Sequence, residues 1–216
     1  MRLIGGVPCF RPVPQERSMT LGKNRGFSMM ELVITVAIVL TMAGVTFVAL
    51  TPLLRASHVD AAYDTTLSVI SNYRSLAITQ TRRYILLFSA PGTITVQYWS
   101  GTASPVPTTV ATYTLPADIQ FAVQAGFPNP GPESLSNGTE AVAFNPCTAV
   151  EAGQPCLIFY PDGSAQDDLG NYNSGVIYLT RPTDLYSSRA VSVIGPSGKI
   201  RGWRLYNQSG NVWVQQ

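Results

Sequence analysis

Charge is scarce in this chain of 216 residues: Asp, Glu, Lys and Arg make up 12% of it, about half the usual globular share of roughly 25%. Hydrophobicity is not scarce. Apolar residues are 45% and the mean hydropathy is +0.14, which excludes a disordered chain. A formal net charge of +2 excludes a polycation that coats nucleic acid in bulk. The single histidine, His58, excludes a multi-His metal site and leaves little room for imidazole catalysis. There is no G-x-S-x-G, no Walker loop and no Cys-x-x-Cys. A Ser-His-Asp set would have to recruit His58 from what reads as a helix. The chain is therefore expected not to be an enzyme, and no cofactor is implied. No internal repeat or composition break marks a second domain.

One apolar segment is present. Leu32 to Leu54 are 23 residues without a charge. As a helix rising 1.5 Å per residue this run reaches about 34 Å, enough for a hydrocarbon core of about 30 Å. A cleaved secretory signal and a plain single-span anchor both compete for it. The usual signal core is about 7–15 residues, shorter than this run. Glu31 strains both readings, because it stands between Met29-Met30 and the uncharged run. A carboxylate inside a membrane costs several kcal/mol and normally has a partner, although at the interface it would cost far less.

The preceding residues are basic. Residues 1–26 hold Arg2, Arg11, Arg17, Lys23 and Arg25 against Glu16 alone, a bias that keeps the N-terminus cytoplasmic and exports the rest. Directly before the apolar run stands Lys23-Asn24-Arg25-Gly26-Phe27-Ser28-Met29-Met30-Glu31-Leu32. This string resembles the class III signal of type IV pilins and of the pseudopilins of type II secretion. The resemblance implies cleavage by a prepilin peptidase between Gly26 and Phe27, N-methylation of Phe27, and Glu31 as mature residue five. It implies that Glu31 pairs with the N-terminal amine of a neighbouring subunit, a register check during assembly. A leader of 26 residues is long for that family. Initiation at Met19 would give the more usual MTLGKNRG, and Cys9 is lost in either case.

The helix is expected to continue. Pro52 removes a backbone donor and should kink or melt it locally, with Gly44 a second flexible point. Beyond Arg55, Val59, Ala62/Tyr63, Val69/Ile70, Tyr73 and Leu76/Ala77 recur at helical spacing, with Asp60, Asp64, Ser68, Asn72 and Arg74 on the other faces. The pattern predicts one helix over 27–83, membrane-spanning to about 54, whose second half lies on a sheet. His58 falls on the exposed side, and Tyr63 and Tyr73 read as core. After Arg82-Arg83 the period changes to two. Strands are predicted at 84–89 and 93–99 as a hairpin around Pro91-Gly92. Others are predicted at 110–115, 119–124, 141–145, 156–160, 175–180, 189–194, 199–206 and 211–215, with 100–108 as a loop. The class is α+β: leader 1–26, helix 27–83, β-rich head 84–216.

This order, the YILLF strand, LIFYPDGSA and AVSVIGPSGKIR resemble the GspH/FimT family of minor pseudopilins and pilins. The resemblance implies a pilin-like fold and a bacterial inner-membrane protein with a single span and a periplasmic head. Its partners would be prepilin peptidase and other pilin or pseudopilin subunits, in a type IV pilus or a type II secretion pseudopilus. A singly anchored periplasmic domain without a filament is a further reading.

Cys147 and Cys156 form an even pair in an exported region and read as a disulfide. Its small ring is worth roughly 2–3 kcal/mol in the chain-entropy model; a redox pair or metal site is the alternative. Asp162, Asp167, Asp168 and Asn171 form an oxygen-rich stretch that either makes ordinary turns or binds calcium. Lys199, Arg201 and Arg204 lie beside Trp203 and Tyr206. Basic groups with interleaved aromatics can bind phosphate and stack bases. Gly198-Lys199-Ile200-Arg201 resembles the Gly-Arg-x-Arg stretch of minor pilins implicated in DNA uptake, with Lys in place of the first Arg. DNA is the alternative partner, and a solvated face of a last hairpin is the plainer reading. The net charge averages two unlike pieces. Beyond the leader there remain nine Lys/Arg against eleven Asp/Glu, so nucleic-acid binding would need a local basic patch.

Overall fold

The structure, a computed structural model, describes residues 27–100, 106–148, 153–182, 184–208 and 210–216, with 48–56, 100 and 106 described by their backbone alone. The leader 1–26, with Gly26 and Cys9, lies outside the described residues. Helix α1 is Met29–Gln80. The chain divides by its contacts into two units, the boundary falling inside α1 between Val48 and Ala49. α1 runs through Pro52 without interruption, so the local melting expected there is not seen.

In the N-terminal unit α1 starts where Glu31 N and Leu32 N donate to Ser28 O. Glu31 lies in its first turn, where a carboxylate complements the helix dipole. No side chain from Phe27 to Phe47 is buried.

The second unit is α+β with two antiparallel sheets. Among the described residues ten strands follow α1: β1 Tyr84–Ser89, β2 Thr93–Ser100, β3 Val106–Thr114, β4 Gln120–Phe121, β5 Cys156–Phe159, β6 Ala165–Gln166, β7 Gly175–Arg181, β8 Asp184–Ile194, β9 Lys199–Asn207 and β10 Asn211–Gln215. They form one sheet in the order β3-β2-β1-β5-β6 and another in the order β10-β9-β8-β7-β4. Val59, Ala62, Val69, Ile70, Tyr73 and Ala77 of α1 share one core with Leu86, Phe88 and Leu157 of the first sheet and Ile177, Leu179 and Val191 of the second. The amphipathic stripe thus meets both sheets, rather than the one that the sequence suggests.

Period-two alternation puts the remaining apolar residues on outer faces. Ile85, Leu87 and Ile158 bury behind the first sheet with the two cysteines. Val176, Tyr178, Ala190, Leu205 and Trp213 bury behind the second, under Val123, Phe127 and Leu135 from the connection 122–138. Both faces of each sheet are therefore covered in part, which accounts for the almost unbroken apolar runs YILLF and GVIYL.

α1 ends without glycine. Thr81 takes φ 51° and Arg82 N donates to Ala77 O at 3.2 Å, the six-to-one bond of a Schellman motif. The expected hairpin pairs in register from Tyr84↔Tyr98 to Ser89↔Thr93. Four expectations need correction. Val106 to Thr108, assigned to a loop, belong to β3, an edge where proline costs no ladder bond; a register shift opposite Val96/Gln97 accommodates the strand. The strand expected at 119–124 shrinks to two residues. The one expected at 141–145 is an isolated bridge, Val142↔Ile177. β8 begins at Asp184, five residues earlier than its apolar run suggests.

Candidate functional site

Among the described residues one helix, Met29–Phe47, is long and apolar enough to cross a membrane. Its large apolar side chains are open on every side, from Val36 at 48% exposed to Met29 at 88%. A soluble helix would bury one stripe, and this one has none. Glu31 is its only charge. Phe27, just ahead of the helix, is 75% exposed.

The three basic candidates near the C-terminus do not share a face. β9 alternates. Trp203 packs with Leu205 in the outer cluster, whereas Ile200 packs into the main core. A Cβ on Gly202 would fall 1.6 Å from the Tyr63 hydroxyl oxygen, so Gly202 faces α1. Lys199 and Arg201 therefore lie on one face and Arg204 on the other. Arg201 is ion-paired with Glu133, whose second oxygen accepts from Ser192 Oγ at 2.6 Å. Arg204 stacks over Tyr206 at 5.2 Å and lies opposite Arg189 in the ladder. Only Lys199 is exposed.

Glu133 was invisible to sequence reasoning, because it stands 68 residues from its arginine. It sits in a short 3-10 turn, Pro132–Ser134, at φ 54°. Arg189 was equally unsignalled. Its side chain is 6% exposed and bonds Asp60 of α1 at 2.6 Å. Asp60, read as a solvated helix face, therefore holds a buried guanidinium to the second sheet, and an orphaned buried charge is expensive.

The two motif turns meet at Arg74. Its Nε donates to Gly163 O at 3.1 Å and its Nη2 to Ser197 O at 3.0 Å. Gly198 takes φ +60°, and a Cβ there would stand 1.9 Å from Gly163 O. YPDGSA and GPSGK are thus held side by side by one helix arginine, and glycine is required by the closeness as much as by the dihedral.

Asp162 closes its own turn. Ser164 N and Oγ donate to it at 2.9 and 2.6 Å. Those bonds, the hydroxyl first, hold its carboxyl below the usual range. Asp167 accepts from Leu169 N, Asn171 N and Asn171 Nδ2. Asp168 accepts from Thr148 N and Oγ1. These carboxylates serve loop closure, and among the described residues no three His, Cys, Asp or Glu gather as a ligand set. His58 Nδ1 lies 3.0 Å from Asp118 on the exposed side of α1. Tyr73 is buried, and desolvation together with the Tyr113 hydroxyl pushes it up to about 12.

Cys147 and Cys156 lie at disulfide distance with Cα atoms 5.5 Å apart. Asn173 Nδ2 donates to Cys156 O at 2.9 Å, and Asn145 N to Asn173 Oδ1 at 3.0 Å. The closed loop is thus tied to the start of β7. Pro146 and Pro155 beside the cysteines form a bridge and wall a cavity of about 440 Å³, which also meets Phe88, Phe121, Val142 and Phe144.

Comparison of the chain with protein-family models, with curated proteins and with solved structures found no match.

Proposed function

We propose that this chain is a prepilin. It is cut by prepilin peptidase between Gly26 and Phe27 and assembles as a minor subunit of a type IV pilus or type II secretion pseudopilus. The observation that carries the reading is the helix Met29–Phe47, apolar and exposed on all sides, with Glu31 in its first turn immediately after the Gly26-Phe27 junction. Such a surface needs lipid or other helices around it. Work of this kind is packing rather than chemistry. Glu31 is its lone charge, and desolvation makes that carboxylate selective for a subunit that presents an amine. The head, on the exported side of a single inner-membrane span, carries a bonded cysteine pair suited to an oxidising compartment.

The mass of the mature N-terminus tests this directly. A methylated Phe27 is expected, and Gly26→Ala should leave the leader attached. Glu31→Ala should process normally but fall out of sheared filaments. An uncut chain, or wild-type incorporation of Glu31→Ala, overturns the reading.

DNA binding through Lys199, Arg201 and Arg204 draws less support from the geometry, because Arg201 is neutralised by Glu133 and Arg204 lies on the opposite face. A gel shift comparing the wild type with Lys199→Ala tests it without orphaning Glu133.

A further inference from the structure

We propose that the free edge of β10 takes up an extended segment of a different protein as an added antiparallel strand, one with apolar residues at alternate positions and a carboxylate between them. The site stands whether or not the chain assembles into a filament.

β10 ends the second sheet, and its ladder decides which backbone groups are free. Gln216 N donates to Gly202 O and Gln208 N to Gly210 O. The register carries that bonded pairing to Val214↔Arg204 and Val212↔Tyr206. Residues of an antiparallel pair alternate between bonding the neighbouring strand and turning away from it. Asn211, Trp213 and Gln215 therefore turn their N–H and C=O groups away from β9, and among the described residues nothing bonds them. β10 has no charge, no proline and no register shift, the devices that blunt an edge. β3, the other long edge, has both Pro107 and a shift. The short undescribed segments 101–105 and 149–152 are anchored at the β2–β3 hairpin and inside the disulfide loop, not at β10.

The two faces of the edge select different side chains. Residues of an added strand share a face with those directly opposite. Opposite Trp213 they meet a recess of about 230 Å³ lined by Pro128, Pro130, Pro132, Trp203 and Trp213. Glu133 also borders it, but Arg201 and Ser192 hold its carboxylate, so this face takes apolar side chains. Opposite Val214 they share the face of Arg204. Arg204 has no ion pair among the described residues, and its Nε is buried there without a hydrogen-bond partner. Its neighbour in the ladder is Arg189, which already holds Asp60. An added strand runs about 10 Å from β9, within the joint reach of an arginine and a glutamate, so this face takes a carboxylate. A second copy fits poorly. Among the described residues its long free edges are β3 and β10, and neither holds Asp or Glu, while β4 and β6 are two residues each. The occupant is therefore a different chain, bound by backbone pairing and selected by alternate side chains.

The test uses the full-length protein in nanodiscs, titrated with N-acetyl-Thr-Leu-Glu-Leu-Thr-amide and followed by chemical-shift changes. Gln215→Pro removes an outward N–H and leaves the bonds to β9 whole. Saturable binding that Gln215→Pro abolishes is expected. N-methylation of both peptide leucines, whose N–H groups face β10, should abolish it too, whereas N-methylation of the glutamate should not. Replacing the peptide glutamate by glutamine should weaken binding roughly two- to fivefold, the range for an exposed ion pair, and that difference should vanish in Arg204→Gln. Unchanged near-ultraviolet circular dichroism establishes that both variants are folded. No saturable binding, equal binding of the glutamine peptide, or binding indifferent to Gln215→Pro or to leucine methylation overturns the proposal. Self-association lost in Gln215→Pro overturns it in favour of a second copy. Binding seen only in a chain lacking residues 1–26 overturns it in favour of that segment as the occupant.

Discussion

Two stretches of α1, Met29–Phe47 and 59–77, are each more than half apolar and meet opposite fates. Between Met29 and Phe47 no large apolar side chain is buried, whereas Ala62, Ile70 and Ala77 further along are completely so. The difference lies in arrangement as well as in amount. The first stretch is apolar around its whole circumference, and a sheet can cover only one side of a helix. The second confines its apolar residues to one stripe and sets Asp60, Asp64, Ser68 and Asn72 outside it. Apolarity determines that a helix must be covered, and periodicity determines whether its own chain can do the covering.

Substitutions in the two stretches should separate those roles. The largest effect is expected at Ile70, fully buried among both sheets. Ile70→Ala should cost the head about 4 kcal/mol, read as a lower denaturant midpoint, while membrane partitioning stays unchanged. Ile38→Lys should do the reverse. A lysine in the middle of the apolar stretch costs about 3 kcal/mol of insertion, read as loss from the membrane fraction with the head's near-ultraviolet dichroism intact. If either variant moves both readouts, the two stretches are not independent.

The smallest effect concerns the turn that Arg74 grips. The Asp162 carboxyl is held below its unfolded value by Ser164. Its contribution is therefore complete above the unfolded value, near pH 4, and is lost as pH falls through the lower folded one. The carboxylate is exposed, so the contribution is about 0.5 kcal/mol or less. Asp162→Asn should flatten that part of the acid limb and leave stability at pH 7 lower by the same small amount.

Much of this architecture is legible in one dimension. The stripe from Val59 to Ala77, the hairpin around Pro91-Gly92 and the pairing of Cys147 with Cys156 all rest on short-range signals. The candidate site was legible only in part. The apolar helix announces itself, but the Lys199, Arg201 and Arg204 cluster looked like one patch. Arg201 and Arg204 are separated by an odd step along a strand, so they point to opposite sides. Nothing near Arg201 in sequence names Glu133, and nothing near Asp60 names Arg189. β8 outran its predicted start because residues 184–188 are alternately exposed, which hides a strand from a search for apolar runs.

The sequence by itself determined the α+β class, the uncharged span behind Gly26-Phe27-Ser28-Met29-Met30-Glu31, and which helix residues face a core. Those properties depend on composition and on local period, and both are written along the chain. Tertiary structure alone decided that α1 serves two sheets, that Arg74 joins the two glycine turns, that Glu133 neutralises Arg201, and that three phenylalanines far apart in sequence floor one cavity. Each of these depends on which distant strands become neighbours. Pairing of that kind is selected by the burial of the whole core, and no local signal carries it.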